Sequence, residues 1–282
     1  MATRRDFLTT LAAALGTAIL ARSPRVLRAE RVPPHLSRIG IQLYTLRDLM
    51  EKDLEGTLAR VAAIGYQEVE FAGYFGRTPE QIKAALATNH LVSPSSHVAL
   101  PADDDAWKKT LDDAKTAGHE WVVIAYLDAA LRKAPDDWTR LADRFNHLGL
   151  KAKDAGLRFA YHNHDFELAR VGKGTALDVL LGKTDRKLVD FEMDIYWVVK
   201  GGGDPLAFIR KYPGRFKLMH VKDASPAPER TMMDVGSGTI DFAKIFAQGG
   251  TSGMKHAFVE HDNPTNAIAS ATNSYKYLVS LH

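Results

Sequence analysis

Four residues of this chain carry side chains suited to holding a divalent cation, and each closes a short apolar run. His162 follows Phe159-Ala160-Tyr161, Asp194 follows a stretch with Val189, Phe191 and Met193, His220 follows Leu218-Met219, and Glu260 follows Phe258-Val259. Two imidazoles and two carboxylates form a mixed nitrogen/oxygen set. Such a set suits one divalent ion of Mn, Co, Zn, Fe or Mg, and suits calcium less. The 282 residues include no cysteine, so thiolate ligation, disulfides and a cysteine nucleophile are excluded. Singly, each residue has an ordinary alternative. A histidine at a strand end can simply be hydrogen-bonded, Asp194 could cap the next loop, and Glu260 could pair with Lys222. Their joint appearance carries the metal reading.

The elements that must position them alternate along the chain. Apolar β-rich runs fall at 39–44, 68–71, 91–96, 121–125, 158–162, 188–194, 216–221 and 256–260, mostly dense in Val, Ile, Leu and Phe. Dense rather than alternating runs belong to parallel strands covered on both faces. Between them lie stretches of helical period. Leu54, Leu58, Val61 and Ile64 form one stripe before Gly65, residues 106–117 form another before Gly118, and Leu141, Phe145 and Leu148 open a third. Asp204-Pro205 is a helix start with an acidic cap and proline at the first position. Eight strand–helix units of roughly 30 residues predict an α/β fold, a closed (β/α)8 TIM barrel. An open doubly wound sheet is disfavoured, because Gln42-Leu43-Tyr44-Thr45 stands where a glycine-rich dinucleotide turn would follow the first strand.

Polar residues at the C-terminal ends of barrel strands mark chemistry. His162, Asp194, His220 and Glu260 end strands five to eight, so they share half of one rim and can converge on one point. Glu70 and His97 end strands two and three, across the mouth, and are read as hydrogen-bonding a substrate or serving structure. Lys222 either neutralises oxyanion charge or pairs with Asp223 or Glu260. Gly236-Ser237-Gly238 lies after strand seven, where barrels often bind phosphate, but without nearby cations it does not imply a phosphorylated substrate.

Residues 1–29 differ from the rest. Thr3-Arg4-Arg5-Asp6-Phe7-Leu8 precedes an uncharged stretch that runs to Ala21, short for a membrane span and suited to a signal peptide. The paired arginines resemble a twin-arginine export signal. The expectation is a signal at 1–29, a barrel domain at 30–282, the twin-arginine translocation machinery as a partner, and a periplasmic location. Residues 1–29 hold five Arg against one Asp, so the +3 of the whole chain becomes −1 without them. A near-neutral domain gives no support for nucleic-acid binding, and it argues against phosphodiester cleavage.

The segments Tyr161-His-Asn-His-Asp-Phe-Glu167, Glu192-Met-Asp-Ile-Tyr-Trp197, His220-Val-Lys-Asp223, Gly236-Ser-Gly-Thr-Ile-Asp241 and Val259-Glu-His-Asp262 resemble the xylose isomerase-like barrel superfamily, in particular its sugar phosphate isomerase/epimerase branch. The resemblance implies one divalent ion held by strands five to eight and acting on a sugar or polyol, with Asp194, His220 and Glu260 as ligands. Two positions depart from it. His162 stands where many epimerases carry Glu, and Trp197 where a His is common. Trp197, with Tyr196, could form an aromatic platform for a sugar face or pack against neighbouring loops.

The expected function is isomerisation or epimerisation of a sugar through an enediolate. Glu260 is the candidate base, and His162, Glu167 or Glu70 the complementary acid. A lyase or dehydratase acting on 3-keto-glycosides is the alternative, and a non-catalytic sugar-binding barrel the second. In each case the partner is a small carbohydrate.

Overall fold

The computed structural model describes residues 38–281. The signal expected at 1–29 lies outside them. Eight parallel strands close a barrel in chain order: β1 Gly40–Gln42, β2 Glu68–Ala72, β3 Val92–Val98, β4 Trp121–Ile124, β5 Arg158–His162, β6 Val189–Asp194, β7 Phe216–Val221 and β8 His256–Val259. β1 closes the ring, with Gly40 opposite Glu68 on one side and Phe258 on the other. One main helix follows each strand: α1 Leu54–Ile64, α2 Pro79–Thr88, α3 Asp104–Ala117, α4 Pro135–Asp154, α5 Ala176–Lys183, α6 Pro205–Lys211, α7 Phe242–Phe246 and α8 Ala267–Ser280. The fold is the expected (β/α)8 barrel.

The two-residue period of the strands sorts side chains into two interiors. Outward positions such as Val122, Ile124, Phe159, Tyr161, Phe191 and Met193 meet the helices in the main core. Inward positions Trp121, Val123, Ala160, Leu218 and Phe258 form a separate apolar cluster inside the barrel. That plug puts a dry floor beneath the next inward layer, which is polar. At the opposite mouth Arg158 pairs with Asp190 at 2.6 Å and His256 with Glu68 at 2.7 Å. Ion pairs at that face serve stability.

Local sequence explains the details that matter for the rim. β1 is shorter than the predicted 39–44, because the Gln42 side chain accepts from the Tyr44 N–H at 3.0 Å and the chain turns into a 3-10 segment, Leu43–Leu46. Tyr44 therefore stands on the rim rather than in the sheet. Asp204 caps α6 with Pro205 at its first position, as predicted. Gly149, in the middle of α4, lets that helix lie against the chain entering β6; a Cβ there would sit 2.4 Å from the Leu188 carbonyl oxygen.

After β7 the chain makes a short hairpin, Asp223–Ala224 with Met232–Met233, and then the glycine segment. The buried Asp223 carboxylate accepts from the backbone N–H groups of Ala224, Gly236, Gly238 and Ile240 at 2.8, 2.9, 2.9 and 3.1 Å. The amides of the glycine segment are thus turned onto an internal anion rather than toward a phosphate. Gly238 has no room for a side chain, since a Cβ would fall 2.4 Å from Asp223 Oδ1. This links His220-x-Lys222-Asp223 to the later Gly-x-Gly-x-Ile motif: one supplies the carboxylate that the other needs to fold. Asp223→Ala strands several amide donors, each charge-assisted bond contributing about 1.5–3 kcal/mol. The expected loss is on the order of 3 kcal/mol, read as a lower urea midpoint with an unchanged m-value.

Candidate active site

Above the apolar plug, six strands send ionisable side chains inward. β6 contributes two, Glu192 and Asp194, spaced so that both face the barrel axis. Glu192 accepts from His162 Nδ1 at 3.1 Å and from His97 Nε2 at 2.6 Å. His162 Nε2, on the other edge of the same ring, lies 3.7 Å from Asp194 Oδ2. His220 repeats the arrangement. Its Nε2 is 2.6 Å from Glu70 Oε2 and 3.2 Å from Glu192 Oε2, while its Nδ1 is 2.7 Å from Glu260 Oε2. Both rings therefore have one nitrogen on an inner pair of carboxylates, Glu70 and Glu192, and the other facing an outer pair, Asp194 and Glu260. Gln42 Nε2 donates to Glu70 at 2.7 Å and holds it in place.

Lys222 completes the outer layer. Its ammonium lies 2.6 Å from Glu260, 2.7 Å from Asp262 and 3.0 Å from Asp194, on a side chain only 2 % exposed. Burial disfavours that charge, but Asp194, Glu260 and Asp262 outweigh it and raise the lysine well above its ordinary range. Burial likewise works against Glu260, and the charges of Lys222 and His220 reverse it, keeping the carboxylate ionised. For Glu192, burial is overcome by His220 and His97. Asp194 behaves differently: burial raises it to about 6 against the pull of Lys222 and His220. His162 is pushed well below its usual value by burial and by the charge on His220, so its ring is neutral.

The donor set fits a divalent metal. Five carboxylates share the cluster with one ammonium: Asp194, Glu260 and Asp262 meet Lys222, while Glu70 and Glu192 meet the imidazoles. Without a metal, protons on His97 and His220 offset part of that negative charge. Burial lowers His220, but Glu192 and Glu260 more than compensate and hold it protonated. A metal cation at Nδ1 would replace that proton. Glu70 Oε1, Glu192 Oε1 and Asp194 Oδ2 are buried without a hydrogen bond. Asp194 Oδ2 is close to the Lys222 ammonium yet receives no aligned N–H from it. Donor atoms of Asp194, His220 and Glu260 lie within 4.8 Å of one another, as do those of His97, His162, Glu192 and His220.

A cavity of about 810 Å³ opens above this cluster, with His97, His162, His164, Lys222, Glu260 and Asp262 in its wall. The structure brings together seven of the predicted residues: Glu70, His97, His162, Asp194, His220, Lys222 and Glu260. Glu70, and Glu167 outside the cluster, do not reach the cavity as a substrate contact or an acid would need to. Glu70 is fully buried against His220. Glu167 lies in a 3-10 turn on the helix side of β5, accepting from the Tyr161 hydroxyl and, at 2.9 Å, from the His164 N–H. Trp197 backs the site without lining the cavity, its ring centre 5.8 Å from Lys222 Nζ. Asp194 does cap the next helix as well, accepting from the Trp197 N–H at 2.9 Å through Oδ1. Two residues escaped the sequence reading. Glu192 was detectable, being two positions before Asp194 and hence on the same face. Asp262 lies beyond the last strand, in a turn with no periodic signal.

The sequence profile of the xylose isomerase-like TIM barrel family matches residues 58–276. The chain belongs to that family. Among its relatives, an inosose dehydratase of Bacillus cereus (strain AH820) is 28% identical over 271 residues, 80% of this chain and 87% of the relative. An inosose dehydratase of Bacillus anthracis (strain CDC 684 / NRRL 3495) is 36% identical over 197 residues, 61% of this chain and 64% of the relative. A solved sugar phosphate isomerase/epimerase from Parabacteroides distasonis superposes with a TM-score of 0.75 at 29% identity, covering 85% of this chain and 93% of its own. These relatives are named for enzymatic activities, and the buried donor cluster at the strand ends marks this member of the family as an enzyme too.

Glu167 allows a test of the barrel wall independent of any metal. Burial raises its carboxyl from 4.5 to about 7, against the hydrogen bonds from Tyr161 and the backbone. The folded protein thus keeps this proton where the unfolded chain has lost it. The contribution is fully present below pH 4.5 and is lost as pH rises to about 7. At about 1.4 kcal/mol per pKa unit, the loss is on the order of 3 kcal/mol. Glu167→Gln removes this dependence. The wild-type-minus-variant difference in unfolding free energy is expected to become less favourable to the wild type across that window; a difference flat with pH would refute the assignment.

Proposed function

We propose that this enzyme eliminates water or another β-leaving group from a polyhydroxylated cyclic ketone, with a divalent metal held by His162, Asp194, His220 and Glu260. The observation that carries the metal site is the two-sided use of the rings. His162 gives Nδ1–H to Glu192 and leaves Nε2 with a free lone pair, while His220 directs Nδ1 outward with Nε2 on Glu70. Carboxylates behind ligating histidines fix ring orientation and tautomer in just this manner. When bound, the metal supplies Lewis acidity toward a carbonyl oxygen next to the carbon that loses its proton.

Elimination is favoured over the isomerase or epimerase reading by relatives named inosose dehydratases, an inosose being a cyclic polyol ketone. It is also favoured by the placement of the carboxylates. Epimerisation by two carboxylates needs one on each face of the reacting carbon. His162 occupies the strand-five position, Glu167 is on the helix side, and Glu70 is fully buried against His220, so of the carboxylates read from the sequence Glu260 is the one in the cavity wall that can act as base. Lys222 reaches the cavity beside Glu260, where its ammonium can donate to a substrate oxygen and offset developing negative charge. His97, anchored on Glu192, presents its ring to the same space as a positioning contact. Leaving-group departure requires no second base on the opposite face.

The test combines metal content and turnover. The purified protein should carry about one divalent ion, and Asp194→Ala, His220→Ala and His162→Ala should each lose it. Glu192→Gln should weaken retention by roughly 10–100-fold. With an inosose, the metal-loaded enzyme should form a conjugated enone absorbing in the ultraviolet. No metal after reconstitution, or proton exchange without enone, would overturn elimination; exchange alone would restore the isomerase reading.

The export proposal rests on Arg4-Arg5 and the uncharged stretch behind them. Replacing both arginines by lysine in the full chain should shift the protein from the periplasmic to the cytoplasmic fraction.

A further inference from the structure

The cavity over the site is more than a pocket for a polyol ring. Binding cavities for drug-sized molecules span roughly 300–1,000 Å³, and this one, at about 810 Å³, lies toward the upper end. Its wall has two characters. One end is the ionic cluster, with His162, Lys222, Glu260 and Asp262. The other comes from the loops after β1, β3 and β4 with Arg144 of α4, and is mainly apolar: Tyr44, Val98, Leu100, Pro101, Tyr126 and Leu131, with Asp128 and Arg144 as its charged members. Six large hydrophobic side chains are exposed among the described residues, and three of them, Tyr44 at 42 %, Tyr126 at 52 % and Leu131 at 38 %, line this single cavity. Scattered exposed hydrophobics need no explanation, but a cluster next to a reaction centre marks a binding surface.

Tyr126 is also held in place. Its ring packs edge-on against His164 and Phe166 at centroid distances of 5.3 and 5.6 Å, and the Arg132 guanidinium caps Phe166 at 3.4 Å. His164 in turn stacks on Phe166 at 5.3 Å and lines the cavity between Tyr126 and the ionic end. An ordered aromatic face therefore runs continuously into the site where the bond is broken. A cyclitol or free monosaccharide, polar over its whole rim, would leave that face wet.

We propose that the apolar arm is a leaving-group subsite for an aryl substituent, so that the substrate is an aryl glycoside of a keto-sugar rather than a free ring. The inference rests on the elimination reading. The ring occupies the ionic end, with its ketone next to the carbon that loses a proton. The C–H bond at that carbon breaks, its electrons form a C=C bond, and the adjacent C–O bond to the aryl group breaks. The aryloxide leaves and takes up one proton to become a phenol, while the abstracted proton remains on the base and returns to solvent. No oxidant or reductant is consumed. A phenol, with a pKa near 10, leaves far more readily than water, which lessens the need for a dedicated acid at the leaving oxygen.

The experiment compares phenyl and methyl 3-keto-glucosides with the metal-loaded enzyme, following release of phenol or methanol, and in parallel measures binding of phenyl and methyl glucoside by calorimetry. Burial of one aromatic ring should make the phenyl compound bind roughly ten-fold tighter. In turnover, kcat/KM for the phenyl substrate should exceed the methyl value by at least that factor. Tyr126→Ser and Leu131→Ser should both collapse the phenyl-to-methyl ratio toward one, and Tyr126→Phe should keep it. Equal binding and equal turnover of the two compounds would overturn the subsite while leaving elimination standing. Preferential phenyl binding that depends on Tyr126, without turnover of any keto-substrate, would instead overturn elimination and keep the subsite. Enhancement by long alkyl chains equal to that by phenyl would replace the aryl assignment with a general apolar one.

Discussion

The structure turns on a charge imbalance held in a dry place. Five carboxylates share the mouth of the barrel with one ammonium and three imidazoles, and most of these side chains are excluded from solvent. Isolated buried ions are strongly disfavoured, so such a cluster persists only where each charge has a counter-charge or a proton within reach. Lys222 meets three carboxylates at once, and His220 bridges the inner and outer layers. In the outer layer Asp194 Oδ2 is buried without a hydrogen bond, an atom that a divalent cation would satisfy. The cluster is therefore costly to the fold and useful to chemistry for the same reason.

The rest of the barrel exists to keep that cluster in register. Asp194 pairs with His220 across β6 and β7, and His162 with Glu192 across β5 and β6, so closure of the sheet sets the ligand spacing before any side chain moves. The apolar plug of Trp121, Val123, Ala160, Leu218 and Phe258 closes off the space below and holds the local dielectric down, which strengthens each ionic contact above it. Asp223 extends this control beyond the strands. By gathering four backbone amides it fixes the loop that follows β7, the strand carrying His220 and leading into Lys222.

Much of this was legible in the chain. The strand-ending residues of β5 to β8 announced a shared rim site, and the alternation of runs and helices announced the barrel, because both follow from short-range periodicity. What stayed hidden depended on direction or on long range. Glu70 reads as a rim residue but is fully buried, its carboxylate taken up by Gln42 and His220, a contact across the barrel that no local pattern announces. Glu167 reads as a spare carboxylate but faces the helices, because the chain turns outward after His162. Asp262 reads as part of a polar turn, and only the closing of the barrel carries it back to Lys222, 40 residues earlier.

The asymmetry of the carboxylates bears on the reaction. A symmetric proton shuttle needs two bases of similar strength facing each other across the substrate. Here the ionisable groups are stacked in depth instead, with Glu70 and Glu192 behind the histidines and Asp194 and Glu260 in front, and Lys222 neutralising the front pair. Depth favours orientation of ligands and stabilisation of charge on one side of a substrate, while the opposite side of the cavity is mainly aromatic and aliphatic, with Asp128 and Arg144 among its lining. A site of that form fits the proposed elimination, in which a proton is removed beside a carbonyl and a group departs into the apolar arm. His162 at the strand-five position is thus consistent with the proposed elimination: it would give a metal a neutral ligand, with Glu192 in the supporting role behind it.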